Sequence, residues 1–397
     1  MGDSPSPLIA GAMTAFPLPE AQVLAAQRCA ACPKMCRSAC PTLAVTANER
    51  HQPWGHARSV LAALRTPGGF ADPATVDAAF ACATCGACTP PCRVDGVETP
   101  ELSWAVRAAV FAAGATPPVG RRAVAEAAAG RVPAAETGVP SWTDPVAPLA
   151  ALRRLATPGA GLLLLPGCGA LGRRPAAAVA AGRALRALGV AFTVLEEHRC
   201  CGAPALGFGD TGSLTAMLER LGAAVAASGA RRVAVQSPSC AHLLAVRAPR
   251  LGRGLDHVAV EPLAAVLGAA LAGRSAAAAG RVAYHDPCHL ARHLDCTAPP
   301  RAALRGLGLE VAELRGRGAT TACSGGGGGL PLTHPAIADG YRDRLAAEVV
   351  TAAGAGATAV VTGCATCAAR LEGVAALPVL ELAEAVAALL DPAEALR

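Results

Sequence analysis

The C-terminal part of this sequence predicts an α/β fold with mostly parallel sheets, built twice. A mainly helical N-terminal module precedes it. Three observations carry that expectation. From residue 161 onward, short apolar runs alternate with helical stretches, the pattern of strands joined by helices in layered α/β domains. The same part repeats itself. Ala184-Leu185-Arg186, Leu188-Gly189 and Leu195 return as Ala303-Leu304-Arg305, Leu307-Gly308 and Leu314 at an offset of 119, and Cys168 and Glu261 return as Cys288 and Glu381 at an offset of 120. Finally, the 17 cysteines are bunched, at 29–40, 82–92, 168–240 and 288–367.

Composition bounds the answer. At roughly 100–200 residues per domain, 397 residues suggest two to four domains. A hydrophobic content of 53% excludes a disordered chain. Lys34 is the sole lysine, and the abundance of Ala, Gly and Arg is a composition bias. The net charge of +6 is spread along the chain without a Lys/Arg block, which argues against nucleic-acid binding. Two cubanes on four thiolates each, at a net charge of about −2 apiece, would cancel most of it. The apolar stretches Val258–Gly273 and Leu377–Leu390 are broken by Glu261, Glu381 and Glu384, short of the roughly 18–20 residues of a membrane span. Met1-Gly2-Asp3 lacks a basic segment before an apolar run, so a secretory signal is not expected. These features point to a cytoplasmic chain. An odd number of clustered cysteines there indicates metal binding or redox chemistry rather than a disulfide scaffold.

The elements follow in order. A helix over Pro19–Arg28 leads into the first cysteine run. After the second run Thr99 is placed to cap a helix with Pro100 at its first position and Gly114 at its end, its apolar face carrying Leu102, Val106, Ala109 and Val110. Residues 18–114 form this module. Residues 115–160, punctuated by proline, suit short helices such as Arg121–Ala129 and form a connecting arm. The first half, 161–275, has expected strands at Gly161–Leu165, Ala191–Leu195 and Val233–Gln236, and a helix at Leu214–Ala227 striped by Leu214, Met217, Leu218, Leu221 and Val225. The second half, 281–391, has strands at Val282–His285, Glu310–Leu314 and Ala359–Thr362. Cys168, Cys240, Cys288 and Cys364 each fall just after a strand, where loops of parallel sheets carry their sites.

Cys82, Cys85, Cys88 and Cys92 are spaced C-x2-C-x2-C-x3-C. Three thiolates on such a loop reach three irons of one cubane, and the fourth ligates the neighbouring cluster in two-cluster ferredoxins. Cys29, Cys32, Cys36 and Cys40 are spaced C-x2-C-x3-C-x3-C and followed by Pro41, one residue longer than usual. Arg93 stands where the other run would have proline. By this logic one 4Fe–4S cluster takes Cys29, Cys32, Cys36 and Cys92, and the other takes Cys82, Cys85, Cys88 and Cys40. The competing reading, two structural zinc sites, usually shows two well-separated C-x2-C pairs.

The C-terminal halves carry Cys168, Cys200-Cys201-Gly202 and Cys240, then Cys288, Cys323 and Cys364-x2-Cys367. With His285–Leu290 (HDPCHL) and Cys323–Gly329 (CSGGGGG), they resemble the duplicated cysteine-rich CCG domains of heterodisulfide reductase B- and D-type subunits. The same domains occur in the iron–sulfur subunits of glycolate oxidase, lactate-utilisation and anaerobic glycerol-3-phosphate dehydrogenase systems. With the ferredoxin-like runs, the resemblance covers almost the whole chain. The family's full set has five cysteines per half, which the heterodisulfide reductase-like subunits use for a noncubane cluster. Here Ser237 and Ser324 replace one cysteine in each half. Four thiolates remain, enough for a further 4Fe–4S cluster or a zinc ion, whereas serine oxygen is a poor iron–sulfur ligand. Buried free cysteines packing the sheet are the alternative.

Other residues weigh less. Gly325–Gly329 lacks the Lys-Ser/Thr of a phosphate loop and suits close backbone approach to a metal centre or an anion. His289 and His293 would share a helical face beside Cys288, to bind metal or relay protons, or lie on the surface. His285-Asp286 would orient its loop. Cys296 fits no metal spacing and suits a small buried position. Arg173, Arg174, Arg231 and Arg232 suit an acidic partner or solvated helix ends. No G-x-G-x-x-G is present, so a flavin or nicotinamide site belongs on another polypeptide. The expectation is an electron-transfer subunit of an oxidoreductase complex. The resemblance implies a flavoprotein partner oxidising a 2-hydroxy acid such as glycolate or lactate, electrons passing to quinone or a thiol/disulfide couple, and membrane contact only through a partner. The rivals are a disulfide reductase acting at the CCG cysteines and a zinc-stabilised assembly scaffold.

Overall fold

The computed structural model describes residues 18–134, 141–274, 276–277 and 280–391. Two parallel sheets organise the C-terminal part. The first contains β3 (Leu162–Leu165), β4 (Arg232–Val235) and β5 (Ala259–Pro262), in that order. The second contains β6 (Gly280–His285), β7 (Leu309–Glu313), β8 (Val360–Thr362) and β9 (Val379–Glu381), in the order β7-β6-β8-β9. A short antiparallel ladder, β1 (Val132–Pro133) with β2 (Trp142–Thr143), precedes them. Leu163 makes a parallel bridge to Thr193, so the first sheet holds a single residue where the second has β7. The two halves thus share one topology, as the internal repeat requires.

The strand expected over Ala191–Leu195 does not form. Thr193 exchanges two hydrogen bonds with Leu162 and Leu164, at 2.8 Å each. The chain then turns away through Glu196-Glu197, and this departure brings His198 to Cys168. Thr99 is likewise the first residue of its helix, Thr99–Ala112, with Glu98 at the cap position. Strands β5 and β9 lie outside the sequence-derived set.

β3 explains how the parts join. All four leucines are buried, as in a parallel strand covered on both faces. Successive side chains alternate. Leu163 and Leu165 enter a core with Ala26, Phe80, Leu102 and Val106 of the N-terminal module, while Leu162 and Leu164 enter one shared with Tyr284, Leu304 and Val386 of the second half. β6 repeats the device, with Tyr284 in the core between the halves and Ala283 facing Leu345 and Val349 of the helix Pro335–Gly354. Segment 115–160 packs as well. Helix Pro118–Ala128 inserts Ala123, Val124 and Ala127 into the N-terminal core, and helix Val146–Leu155 inserts Leu149 and Leu152 into the inter-half core.

Arg174 ties the halves together. Its guanidinium meets Glu384 at 2.9 Å, Glu372 at 2.9 Å and the Val379 carbonyl at 2.8 Å. Arg232 pairs with Glu261 at 2.7 Å. These two arginines are thereby engaged within the chain.

Glu381 is buried and caps the last helix, Leu382–Leu390, accepting from the Ala383 N–H at 2.8 Å and from Gln236 Nε2 at 3.2 Å. Burial is the main force pushing its carboxyl up to about 8, so it is protonated in the fold at neutral pH and ionised in the unfolded chain. A raised carboxyl contributes stability that is fully present below about pH 4.5 and is lost as pH rises through about 8. Glu381→Gln is expected to flatten the fall in thermal midpoint between pH 5 and 8. An unchanged slope would refute this account.

Candidate functional site

All 17 cysteines are free thiols. The fold sorts sixteen of them into four sets at the junction of the N-terminal module with both halves. Cys296, the seventeenth, is buried in the inter-half core.

The first set lies near the surface. Burial pushes the Cys29 thiol up to about 12, and the neighbouring thiols Cys32, Cys36 and Cys92 add to the effect. Cys36 is raised to about 11, by burial and then by Cys32, with Cys92 again a neighbour. Cys92 is thus brought to the first run, away from its own. The Arg28 guanidinium helps by donating to the Asp95 carbonyl at 2.8 Å. Ala31, Pro33, Met35, Arg37 and Ser38 around this set are exposed.

The second set is deeper. Burial raises Cys40 to about 12, with Cys82 and Cys85 as its neighbouring thiols. Cys88 is raised by burial and then by Cys85, Cys82 and Cys40. Thr42, close to Cys40 in the chain, donates to the Ala81 carbonyl at 3.0 Å, which fixes this exchange between runs.

In the first half, Cys168 and Cys200 approach to 3.5 Å and Cys201 and Cys240 to 3.0 Å. His198 Nε2 lies 3.3 Å from Cys168 Sγ. In the second half, Cys323 stands between Cys288 and Cys85. It is raised by hydrogen bonding to both, and they are lowered by it. Cys367 is raised first by its bond with Cys364. The second half is therefore in direct thiol contact with the second N-terminal set. Ser324, in the position of a fifth cysteine, makes a 3.3 Å hydrogen bond to Cys367 Sγ, and Ser237 pairs with Ser239 at 3.2 Å.

Among the described residues, no three His, Cys, Asp or Glu side chains converge as they would around one metal ion. Sets of four thiols suit a cubane instead, because each thiolate there binds a different iron. Thiolates so close repel one another, which is why burial and neighbouring thiols raise their pKa values. Bound cations reverse this preference, and metal loading releases the protons.

The linking elements are polar and buried. Arg107, fully buried in helix Thr99–Ala112, donates to the carbonyls of Ala79 (2.8 Å), Cys82 (2.6 Å), Gly207 (2.9 Å) and Gly328 (2.7 Å). Gly328 must be glycine. Its φ is +61°, and a Cβ would stand 2.8 Å from the Cys82 carbonyl. The glycine-rich loop therefore lets its backbone lie against the second cysteine run, and Gly325 N–H reaches Cys323 Sγ at 3.4 Å. His285 bonds Thr362 and the Ala322 carbonyl at 3.0 Å each, while Asp286 holds Arg301 and the Gly318 N–H. This pair orients the loops that present Cys288 and Cys323.

His289 and His293 lie on one helical turn with rings 4.8 Å apart, and His242 from the first half stacks on His293 at 4.5 Å. Burial, then the neighbouring histidines, push His242 down to about 2, and burial then His289 push His293 to about 4, so both rings are neutral. Beside them opens a cavity of about 440 Å³, lined by Cys168, Cys201, Cys240, His242, His289 and Gly327.

His198, His242, Arg107 and Arg292 were not identified from sequence. Arg107 had one visible signal, a charge within the otherwise apolar run Trp104–Ala113. The others become recognisable only once distant segments meet.

Comparisons with known proteins agree with this arrangement. A 4Fe-4S dicluster domain model matches residues 25–95, and a cysteine-rich domain model, CCG, matches 162–245 and again 282–372. The D-type subunit of the dihydromethanophenazine:CoB–CoM heterodisulfide reductase of Methanosarcina acetivorans is 28% identical over 276 residues, covering 66% of this chain and 65% of that one. The B-type subunit of the fumarate reductase (CoM/CoB) of Methanothermobacter marburgensis is 30% identical over 188 residues, 46% of this chain and 36% of that one. A probable membrane-anchored ferredoxin of Chromohalobacter salexigens is 42% identical over 119 residues, 28% of this chain and 17% of that one. In none of these three does the match reach two thirds of the relative's length. Among the described residues no helix is long and apolar enough to cross a membrane. The chain thus consists of an N-terminal 4Fe-4S dicluster domain and two cysteine-rich CCG domains, and is a homologue of the heterodisulfide reductase D-type and fumarate reductase B-type subunits.

Proposed function

We propose that this chain is an iron–sulfur electron-transfer subunit, with one 4Fe–4S centre on Cys29, Cys32, Cys36 and Cys92 and another on Cys40, Cys82, Cys85 and Cys88. The observation that carries the reading is the continuity of the thiol sets. The first lies near the surface, the second is deeper, and Cys85 of the second contacts Cys323 of the second CCG set. When bound, such centres take up and release single electrons. The protein's own part is to hold the thiolates, exclude water with the glycine-rich loop, and place positive charge beside them.

The electron donor in this proposal is a flavoprotein dehydrogenase of the 2-hydroxy-acid type, and the acceptor is quinone or a thiol/disulfide couple. The names of the relatives, all redox proteins, support a redox partner. The complex is cytoplasmic and meets the membrane only through a partner. A second reading, terminal chemistry at the CCG cysteines, is favoured by the cavity against Cys168, Cys201 and Cys240. In that reading the sets Cys168/Cys200/Cys201/Cys240 and Cys288/Cys323/Cys364/Cys367 carry a further cluster.

Iron, acid-labile sulfide and zinc per chain after anaerobic purification test both readings. About eight irons without zinc would leave the CCG sets empty and favour a pure relay. About twelve or sixteen would load one or both sets and favour terminal chemistry. About eight irons with one or two zincs would make those sets structural. Fewer than four irons, in a protein that does not bleach with dithionite, would refute electron transfer and leave the scaffold reading. A copurifying yellow flavoprotein is the result expected for the donor.

A further inference from the structure

Arg292 lies in the helical turn His289–His293 that follows Cys288. Its Nε donates to the Cys85 carbonyl at 2.7 Å, and its Nη1 donates to the carbonyls of Thr321 at 2.7 Å and Ala319 at 3.3 Å. Its Nη2 is buried and has no hydrogen-bond partner. Among the described residues no carboxylate pairs with it. The charged or ionisable groups that act on this guanidinium are the thiols Cys85, Cys288, Cys323 and Cys88.

The chemistry of this placement is specific. Carbonyls satisfy N–H groups but carry no counter-charge. A buried cation without an anion costs several kcal/mol, so it persists where an anion is held beside it. Here the available anions are thiolates from two different sets, Cys85 and Cys88 from the second N-terminal set and Cys288 and Cys323 from the second CCG set. The side chain reaches from the CCG domain to the backbone of Cys85, so one positive charge serves both sets.

We infer that Arg292 is a positioning residue shared by the second N-terminal centre and the second CCG centre, its unpartnered Nη2 donating to their sulfur and its charge offsetting the negative charge of both. This inference rests on the reading of those thiol sets as iron–sulfur ligands. Each added electron makes a centre more negative, so a neighbouring cation favours the reduced form of both. The first N-terminal set does not include Arg292 among its neighbours and serves as an internal reference.

The test is a potentiometric titration of the holoprotein followed by electron paramagnetic resonance, on wild type, Arg292→Met, Arg292→Gln and Arg292→Lys, with iron and sulfide measured on each. At a potential where the wild-type centres are half reduced, removal of the charge is expected to lower the reduced-to-oxidised ratio of both neighbouring centres about tenfold. That corresponds to about 59 mV for one electron. Arg292→Lys restores the ratio to within threefold of wild type, and the first centre stays unchanged in every variant. If Arg292→Met fails to fold, Arg292→Gln removes the charge while keeping a donor for the carbonyls and carries the same expectation. Ratios unchanged at both neighbouring centres in a fully iron-loaded, charge-removed variant would overturn the inference, as would an equal shift at the first centre. A wild-type chain whose iron is confined to the two N-terminal centres would overturn it while leaving the relay reading intact. Absence of iron altogether would instead defeat the functional reading.

Discussion

Replacing Cys92 with alanine is expected to remove the iron–sulfur centre of the first cysteine run and to spare that of its own run. The sequence interval alone places Cys92 with Cys82, Cys85 and Cys88. In the fold its thiol neighbours are Cys29 and Cys36, and the Cys88 thiol instead has Cys85, Cys82 and Cys40 around it. Two contacts hold this exchange in place, Arg28 with the Asp95 carbonyl and Thr42 with the Ala81 carbonyl. Both lie within three residues of the thiols they position. Iron and sulfide should each fall by about four per chain, with the signal of the second centre retained. Cys40→Ala should produce the reciprocal loss. Loss of the second centre alone in Cys92→Ala would show that each run serves its own cluster.

Arg107→Met is expected to destabilise the protein by about 3–5 kcal/mol, the range for breaking a buried charged network. Four carbonyls from three modules converge on this guanidinium. Methionine fills much of the volume but donates to none of them, and each buried acceptor left without a partner costs about 1–3 kcal/mol. The ring of Phe80, 5.1 Å from the guanidinium, stacks on Phe208 of the first CCG domain at 5.8 Å, so the same position also supports the apolar contact between modules. Arg107→Lys keeps the charge but cannot reach the whole fan of carbonyls, and should fall between the two. Denaturant midpoints and limited proteolysis of the linked modules measure this. A variant within about 1 kcal/mol of wild type would show that the carbonyl fan carries little stability.

Much of the molecule was legible in the chain. β3 could be placed from four consecutive leucines, because a strand buried on both faces needs no polar alternation. The stripe Leu214, Met217, Leu218, Leu221 and Val225 is buried as its helical spacing requires. The repeat offset of 120 returns in the helical turns Gly169–Arg173 and His289–His293 that follow Cys168 and Cys288. Ala191–Leu195 misled because strand propensity does not ensure a ladder partner. Only Thr193 reaches the sheet before the chain diverts to carry His198 toward Cys168.

The sequence by itself determined which side chains are available: two runs of four thiols, two further sets of four, and a serine in place of a cysteine in each half. Ligand type and local spacing are properties of a short segment and survive without knowledge of the fold. Only the tertiary structure decided the neighbours. It brought Cys85 against Cys323, His242 against His293, and placed Arg107 and Arg292 under carbonyls and thiols far away in the chain. Such contacts depend on how the two faces of β3 and β6 are covered, which is settled by the packing of whole modules rather than by any local pattern.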